Sequence, residues 1–321
     1  MTLSILGQLL GVSVACGLNL YLTVATIGIL SRLGIVTGLP PGVQGLESTI
    51  VIASALALYA IEAVIDKIRH ADSIWDVIHT FIRPPAAGLL VASALWGYPI
   101  GVVAVGTVGA VIVALFVHAT KAGARLALNA TLRRGNAWYS IAEDLLAIAF
   151  TGLALLRPDW ALWAVGGALL IVILVGPRFW RALHLGLRSL AAWFRAFFAP
   201  SGWREDDALP RIVRPVLDPV PLGAPPPKAT AAAVRGLRWV GGYRNGWLVV
   251  THAGLAFVYR NLLGLVRRVD LPSPDRIDAE PGVWADVLQI HTDDDARYTL
   301  FLLKDGPALE TTVQDLSHVT S

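Results

Sequence analysis

The sequence predicts an all-α polytopic membrane bundle of about six transmembrane helices, followed by a small C-terminal β-rich domain. Three observations predict it. The 321 residues are 55% hydrophobic and 15% charged, with a mean hydropathy of +0.61, whereas a soluble domain carries roughly a quarter charged residues. Nearly all of the apolar excess lies before Arg178, in runs that outlast a soluble core helix. After Gly236 the hydrophobic period changes to that of strands.

Residues 3–30 hold no charge and are long enough for one tilted span, with Gly17 and Asn19 at its middle. A lipoprotein signal ending at Cys16 is not expected. No Lys or Arg precedes the apolar stretch, and Ser13 stands where a bulky aliphatic is needed, so the segment reads as an uncleaved first helix. After the Leu39-Pro40-Pro41-Gly42 turn, a second run covers residues 48–65 with Glu62 inside it. Residues 84–117 are again uncharged. Gly97-Tyr98-Pro99 divides them into a short run ending at Trp96 and a full span from Ile100. Residues 138–156 and 160–175, on either side of Arg157-Pro158-Asp159, bring the count to six.

Under that count Lys67, Arg69, Lys121, Arg125, Arg133, Arg134, Arg178, Arg181 and Arg188 fall on one side, against Arg32 and Arg157 on the other. The positive-inside rule then predicts a bacterial inner-membrane protein with both termini in the cytoplasm. Arg178, Arg181, Arg188 and Arg195 alternate with Trp180, Trp193, Phe194 and Phe197, which reads as a cytoplasmic extension or an interfacial amphipathic helix. The pI near 9.2 does not point to nucleic acid, because the basic residues cluster at the ends of apolar runs rather than in one basic domain. With Cys16 the only cysteine, this chain alone builds no intramolecular disulfide, zinc cluster or CxxC redox site. No resident metal or cofactor is expected.

The predicted domains are a transmembrane part with its interfacial extension (1–198), a proline-rich linker (199–235) and a cytoplasmic β-rich domain (236–321). Pro200, Pro210, Pro215, Pro219, Pro221 and Pro225-Pro226-Pro227 make the linker extended. Beyond it, Asn245-Gly246 reads as a hairpin turn. Strands follow at 247–251, 255–260, 287–291 and 298–303, the last two around Asp293-Asp294-Asp295, and a short helix at 309–318. Strand hairpins closed by a C-terminal helix resemble, weakly, a pleckstrin-homology-like module, the alternative being any small β domain.

Ionisable residues near membrane depth are costly and therefore the first functional candidates. Asp72, Asp76, His79 and Arg83 are spaced to share one helical face. The apolar run after them, 84–96, is too short to span alone. Either the stripe enters the membrane or the segment is re-entrant, unless the helix lies on the surface with its charges solvated. His118, Lys121, Arg125 and Asn129 form a second stripe, whose alternative is an ordinary positive-inside loop. Glu143-Asp144 precedes another short run. Asn19, Glu62 and Asp66 complete the candidate binding residues.

The two halves echo each other. Gly17-Leu18-Asn19-Leu20-Tyr21-Leu22-Thr23 matches Gly123-Ala124-Arg125-Leu126-Ala127-Leu128-Asn129, and Ser73-Ile74-Trp75-Asp76 matches Ser140-Ile141-Ala142-Glu143. Short, interrupted hydrophobic segments at corresponding places point to a pseudo-repeat, here allowed to be inverted, with a transporter-type site at its interface.

Cys16-Gly17-Leu18-Asn19-Leu20-Tyr21-Leu22, Asp66-Lys67, the run Asp72-Ser73-Ile74-Trp75-Asp76-Val77-Ile78-His79-Thr80-Phe81-Ile82-Arg83-Pro84-Pro85-Ala86, Lys121-Ala122-Gly123-Ala124-Arg125 and Glu143-Asp144 resemble the bacterial membrane family called domain of unknown function 4126. The resemblance covers about residues 9–175. It differs at Asn19, where the family usually has Arg, and after Asn129, where Ala130-Thr131-Leu132-Arg133-Arg134 replaces a Ser-Pro-type turn. It implies a membrane fold with a polar site and no particular activity.

Three function classes follow. The first is a transporter, channel or lipid translocator in the bilayer, handling a small ion, solute or lipid along the polar stripes. The second is an intramembrane enzyme on a lipid or phosphate substrate, with Asp76 and His79 as acid and base or metal ligands and Arg83, Lys121 and Arg125 holding an anion. No Ser-His-Asp order, H-E-x-x-H or glycine-rich phosphate loop supports it. The third is an adaptor whose C-terminal domain binds a protein partner.

Overall fold

The computed structural model describes residues 3–68, 71–129, 137–198, 202–237, 242–261, 263–282, 285–292 and 296–318; the side chains of 72, 73, 127–129, 137 and 318 lie outside that description. The chain divides into two compact units, Met1–Leu183 and His184–Ser321.

Helices α1 (Leu3–Leu18), α2 (Leu20–Arg32), α3 (Thr49–Ile65), α4 (Ala71–Ala94), α5 (Ile100–Asn129), α6 (Ala137–Leu156) and α7 (Pro158–Phe198) follow one another, with a 3-10 helix, η1 (Pro41–Glu47), before α3. Four segments, Ile74–Ala94, Ile100–Leu126, Trp138–Leu156 and Pro158–Phe198, are long and apolar enough to cross a bilayer, and η1 with α3, bent by 69°, makes a fifth if counted as one span. Large apolar side chains such as Leu89, Val105, Trp163 and Ile171 stand on their outer faces, a surface suited to lipid and not to water. The protein is a membrane protein, and of the six expected spans four, or five with the bent pair, are long and apolar enough to cross among the described residues.

The expected span over residues 3–30 is divided into two shorter apolar helices. Asn19 is extended (φ −149°, ψ 103°), and its side-chain oxygen accepts the Leu22 N–H, capping α2 and ending α1 one residue earlier. Both outer ends of this broken pair meet the same end of the bundle. The Ser4 hydroxyl donates to Asp159 at 3.2 Å and Gly7 lies against the Pro158 carbonyl, while Ser31 donates to Glu47 at 2.7 Å and Arg32 donates to Thr49 at the start of α3. The pair therefore doubles back on itself, its two outer ends at one end of the bundle.

Polar stripe and apolar run share one helix in both halves. The segment after Arg83 is not a separate helix, because α4 continues through Pro84 and Pro85; Glu143-Asp144 likewise lies inside α6. Prolines at these places leave the Thr80 and Phe81 carbonyls without intrahelical donors. The segment after Val175 is also continuous, since α7 runs through Pro177 to Phe198.

The sequence match pairs α1 with α5 and α4 with α6. In the fold α1 packs on α5, and the neighbours α4·α5 and α6·α1 exchange under that match. Ile5 and Leu9 of α1 cluster with Val103 at the start of α5 and Leu95 just past the end of α4, so α1 and α5 run in the same sense.

The second unit is an antiparallel sheet of order β5-β4-β3-β2-β8-β7-β6, with β1 (Arg204–Glu205) also paired to β2. Its strands are β2 (Lys228–Arg235), β3 (Arg244–Thr251), β4 (Gly254–Arg260), β5 (Val266–Asp270), β6 (Pro274–Glu280), β7 (Ala285–Thr292) and β8 (Arg297–Leu303). Helix α8 (Leu309–His318) packs Leu309, Val313 and Leu316 on a core of Leu248, Phe257, Leu288, Ile290 and Leu300. Two expectations change. Strand β2 falls inside the stretch expected as linker, and Asn245-Gly246 is not a turn but lies within β3, opposite Ala233 and Ala232. Glycine is required at 246 because a Cβ there would meet the Val258 carbonyl and the Phe257 ring. The Asp293-Asp294-Asp295 turn lies outside the described residues.

Candidate functional site

The break at Asn19 leaves two helix ends inside the bundle. The last carbonyls of α1 carry partial negative charge and need donors. Arg83 of α4 donates to Leu18 O, with Gly17 O at 3.4 Å, and Lys121 of α5 donates to Leu18 O at 2.8 Å. On the other side of the break, Asn19 Nδ2 donates to Asp144 Oδ1 at 2.9 Å, and the Tyr59 hydroxyl donates to Asp144 Oδ2 at 2.8 Å.

The same cations hold the carboxylates. Arg83 pairs with Glu62 of α3. Lys121 Nζ lies 3.2 Å from Glu143 Oε2 and 3.8 Å from Glu62 Oε1. Arg125 donates to Asp66 Oδ1 at 2.6 Å and to Glu143, and its Nη1 lies 3.4 Å from Asp76 Oδ2. Ser140 donates to the second oxygen of Asp66 at 2.9 Å. Arg125 thus ties α3, α4 and α6 to α5 through carboxylates from three helices.

Both histidines have filled hydrogen-bond roles. His79 Nδ1–H donates to Trp75 O at 2.8 Å, leaving Nε2 to accept the Tyr21 hydroxyl at 3.0 Å. His118 Nε2–H donates to Asp76 O at 2.9 Å, and its Nδ1 faces Arg83 at 3.4 Å. These assignments are those of neutral imidazoles.

The layer is dry. Asp76, His79, Arg83, His118 and Arg125 are each at most 2% exposed. It reaches from the helix ends at Asp66 and Ser140 down to Arg83, twelve residues into α4, or about 18 Å along the helix.

Of the residues expected from sequence, Asn19, Glu62, Asp66, Asp76, His79, Arg83, His118, Lys121, Arg125, Glu143 and Asp144 come together here. The side chains of Asp72 and Asn129 lie outside the described residues. Tyr21, Tyr59 and Ser140 were not expected. Tyr59 sits three residues before Glu62, and Ser140 three before Glu143, so helical spacing from a known acid would have found both. Among the described residues no three His, Cys, Asp or Glu side chains are grouped to hold a metal ion.

The family described as a domain of unknown function, DUF4126, matches residues 6–178. This chain belongs to it. No curated protein matches the chain. The DUF4126 match takes in every group of the charged layer, from Asn19 to Asp144, and ends inside α7, so the sheet of the second unit lies outside it.

Proposed function

We propose that this DUF4126 protein is a transporter or channel of the bacterial inner membrane whose path runs through the charged layer at the Asn19 break. One observation carries the reading: a re-entrant helix pair, broken at Asn19, whose inner ends meet buried charges from α3, α4, α5 and α6. Irregular backbone at membrane depth is tolerated where it is buried in protein or lines a cavity, and half-helix ends beside ionisable groups are how transporters bind ions. The parallel neighbour relations of α1, α4, α5 and α6 support a site between two halves.

The same geometry supports an odd number of crossings. With α1–α2 re-entrant and η1–α3, α4, α5, α6 and α7 crossing, the two chain termini fall on opposite sides of the membrane, and the Lys- and Arg-rich connections keep the C-terminus cytoplasmic.

The test is two-sided access. In a Cys16→Ser background, Tyr21→Cys places the only thiol beside His79. A small membrane-impermeant thiol reagent should modify it both in right-side-out and in inverted vesicles. Modification from one face only, or from neither, contradicts a transport path and favours an adaptor.

A further inference from the structure

The hairpin that joins β4 to β5 turns large apolar side chains outward. Leu263 is 82% exposed and Leu265 53%. Arginines stand beside them: Arg260 and Arg267 are exposed, and neither guanidinium has a hydrogen bond or ion pair with a described residue. Arg260 lies opposite Val266 and Arg267 opposite Tyr259, so the two leave the ribbon on opposite faces and flank the loop from both sides. Arg268 differs, being held by Asp218 and Asp270. No Asp or Glu occurs between Leu255 and Val269. The acidic Asp293-Asp294-Asp295 segment joins β7 to β8, with β3 and β2 between β8 and β4, and lies outside the described residues.

The loop is also built to leave water. The Asn261 side-chain oxygen accepts the N–H groups of Leu263 and Leu265 at 3.0 and 2.9 Å. The Asn261 N–H donates to Leu265 O at 2.9 Å, and the Gly264 N–H donates to Asn261 O at 3.1 Å. Every described N–H of residues 261–265 is thus satisfied inside the loop, and Gly264 takes the left-handed conformation (φ +78°) that closes it. Water would satisfy these groups without such pairing. An apolar boundary would not.

We propose that this hairpin docks the second unit on an anionic lipid leaflet, with Leu263 and Leu265 entering the acyl boundary and Arg260 and Arg267 holding lipid phosphates. Arg267 lies two residues behind Leu265, about 7 Å at the strand rise. That offset suits an insertion of about 5–10 Å with the guanidinium groups at headgroup level, where their forked donors take phosphate oxygens in pairs. Arginines free on both sides of one apolar tip match a surface that is anionic all round it, as a leaflet is. The first unit is membrane-embedded and continuous in chain with the second, so the second is held at high local concentration beside lipid and weak docking suffices. The inference stands apart from the transport reading, and one-sided labelling at residue 21 leaves it untouched.

The experiment reads the depth of the tip in the full chain. In a Cys16→Ser background, Leu263→Cys carries a nitrobenzoxadiazole label, and the protein is reconstituted into vesicles of phosphatidylcholine alone or with a third phosphatidylglycerol, each with and without lipid brominated on its acyl chains. A blue shift and bromolipid quenching are expected with phosphatidylglycerol, and much less of both without it. Removing two arginines from an anionic surface weakens docking by roughly 30-fold, so Arg260→Gln with Arg267→Gln should return quenching to the phosphatidylcholine level. High salt should do the same, which tests the charges without a variant. A label at Leu222→Cys, exposed in the same unit, should stay unquenched in both lipids. No quenching at 263, quenching equal in both lipids, quenching unmoved by the arginine changes and by salt, or equal quenching at 222 overturns the proposal. A blue shift without bromolipid quenching also overturns it and makes a protein surface the partner.

Discussion

Arg83 reaches from α4 to the carbonyl of Leu18, the last residue of α1, while its other nitrogen holds Glu62. One side chain therefore closes a helix end and neutralises a buried acid. Removing it should be costly on both counts. Arg83→Ala is expected to lower stability by about 3–5 kcal/mol, the range for stranding one partner of a buried ion pair. Thermal unfolding in detergent measures it. Glu62→Gln added to Arg83→Ala should recover part of the loss, because no unpaired charge then remains.

Side-specific reporters test the re-entrant pair. Tags at the N-terminus and at residues 42, 97 and 159 should report one side of the membrane, and tags at residue 67 and the C-terminus the other. An N-terminal tag on the side of residue 67 would mean that residues 3–30 cross as one span.

Strand β2 lies between β3 and β8 at the centre of the sheet. A fragment of residues 202–321 should therefore unfold cooperatively in urea with a β-sheet circular dichroism signal. Residues 236–321, without β2, should show neither.

The same fragment should weaken in alkali. Tyr298 is buried, and its hydroxyl donates to Pro272 O at 3.2 Å, a bond only the neutral phenol can make. Burial pushes its pKa up from the usual tyrosine range. A group whose folded pKa is raised binds its proton more tightly in the native state, so its stabilisation is full below about pH 10 and is lost as pH rises above it. Urea midpoints between pH 8 and 11 should fall, and Tyr298→Phe should start lower but fall less.

Much of this was legible in the sequence, for reasons that can be named. Asp76, His79 and Arg83 keep helical spacing, and their charge at membrane depth has no bland explanation once α4 is one continuous helix. The pairing was less legible. Arg83 goes to Glu62 and Arg125 to Asp66, acids on α3 that lie far away in sequence, and only packing selects them. The break at Asn19 was hidden because a single capping residue inside an uncharged run leaves hydropathy unchanged. In the second unit, β4 is legible from its aromatic and β-branched residues Phe257, Val258 and Tyr259, and α8 from its helical spacing. Strand β2 does not, because Lys228-Ala229-Thr230-Ala231-Ala232-Ala233 is alanine-rich and buried on both faces, which removes the alternation that marks a half-exposed strand. Gly246 misled in the opposite direction: the Asn-Gly pair signals a turn, yet here the glycine makes room for Phe257.

The central claim is that the polar stripes form one site, and for those of α5 and α6 a double-mutant cycle tests it most directly. Arg125→Ala strands Asp66 and leaves Glu143 to Lys121 alone, and Glu143→Gln leaves Lys121 and Arg125 short of an acid. The stabilities of Arg125→Ala, Glu143→Gln and the double variant, measured by thermal unfolding in the same lipid or detergent, give the coupling. For residues in one network the double variant should lose less than the sum of the singles, by about 0.5–3 kcal/mol. Losses that add to within about 0.5 kcal/mol would contradict the account and make these separate charges on separate helices.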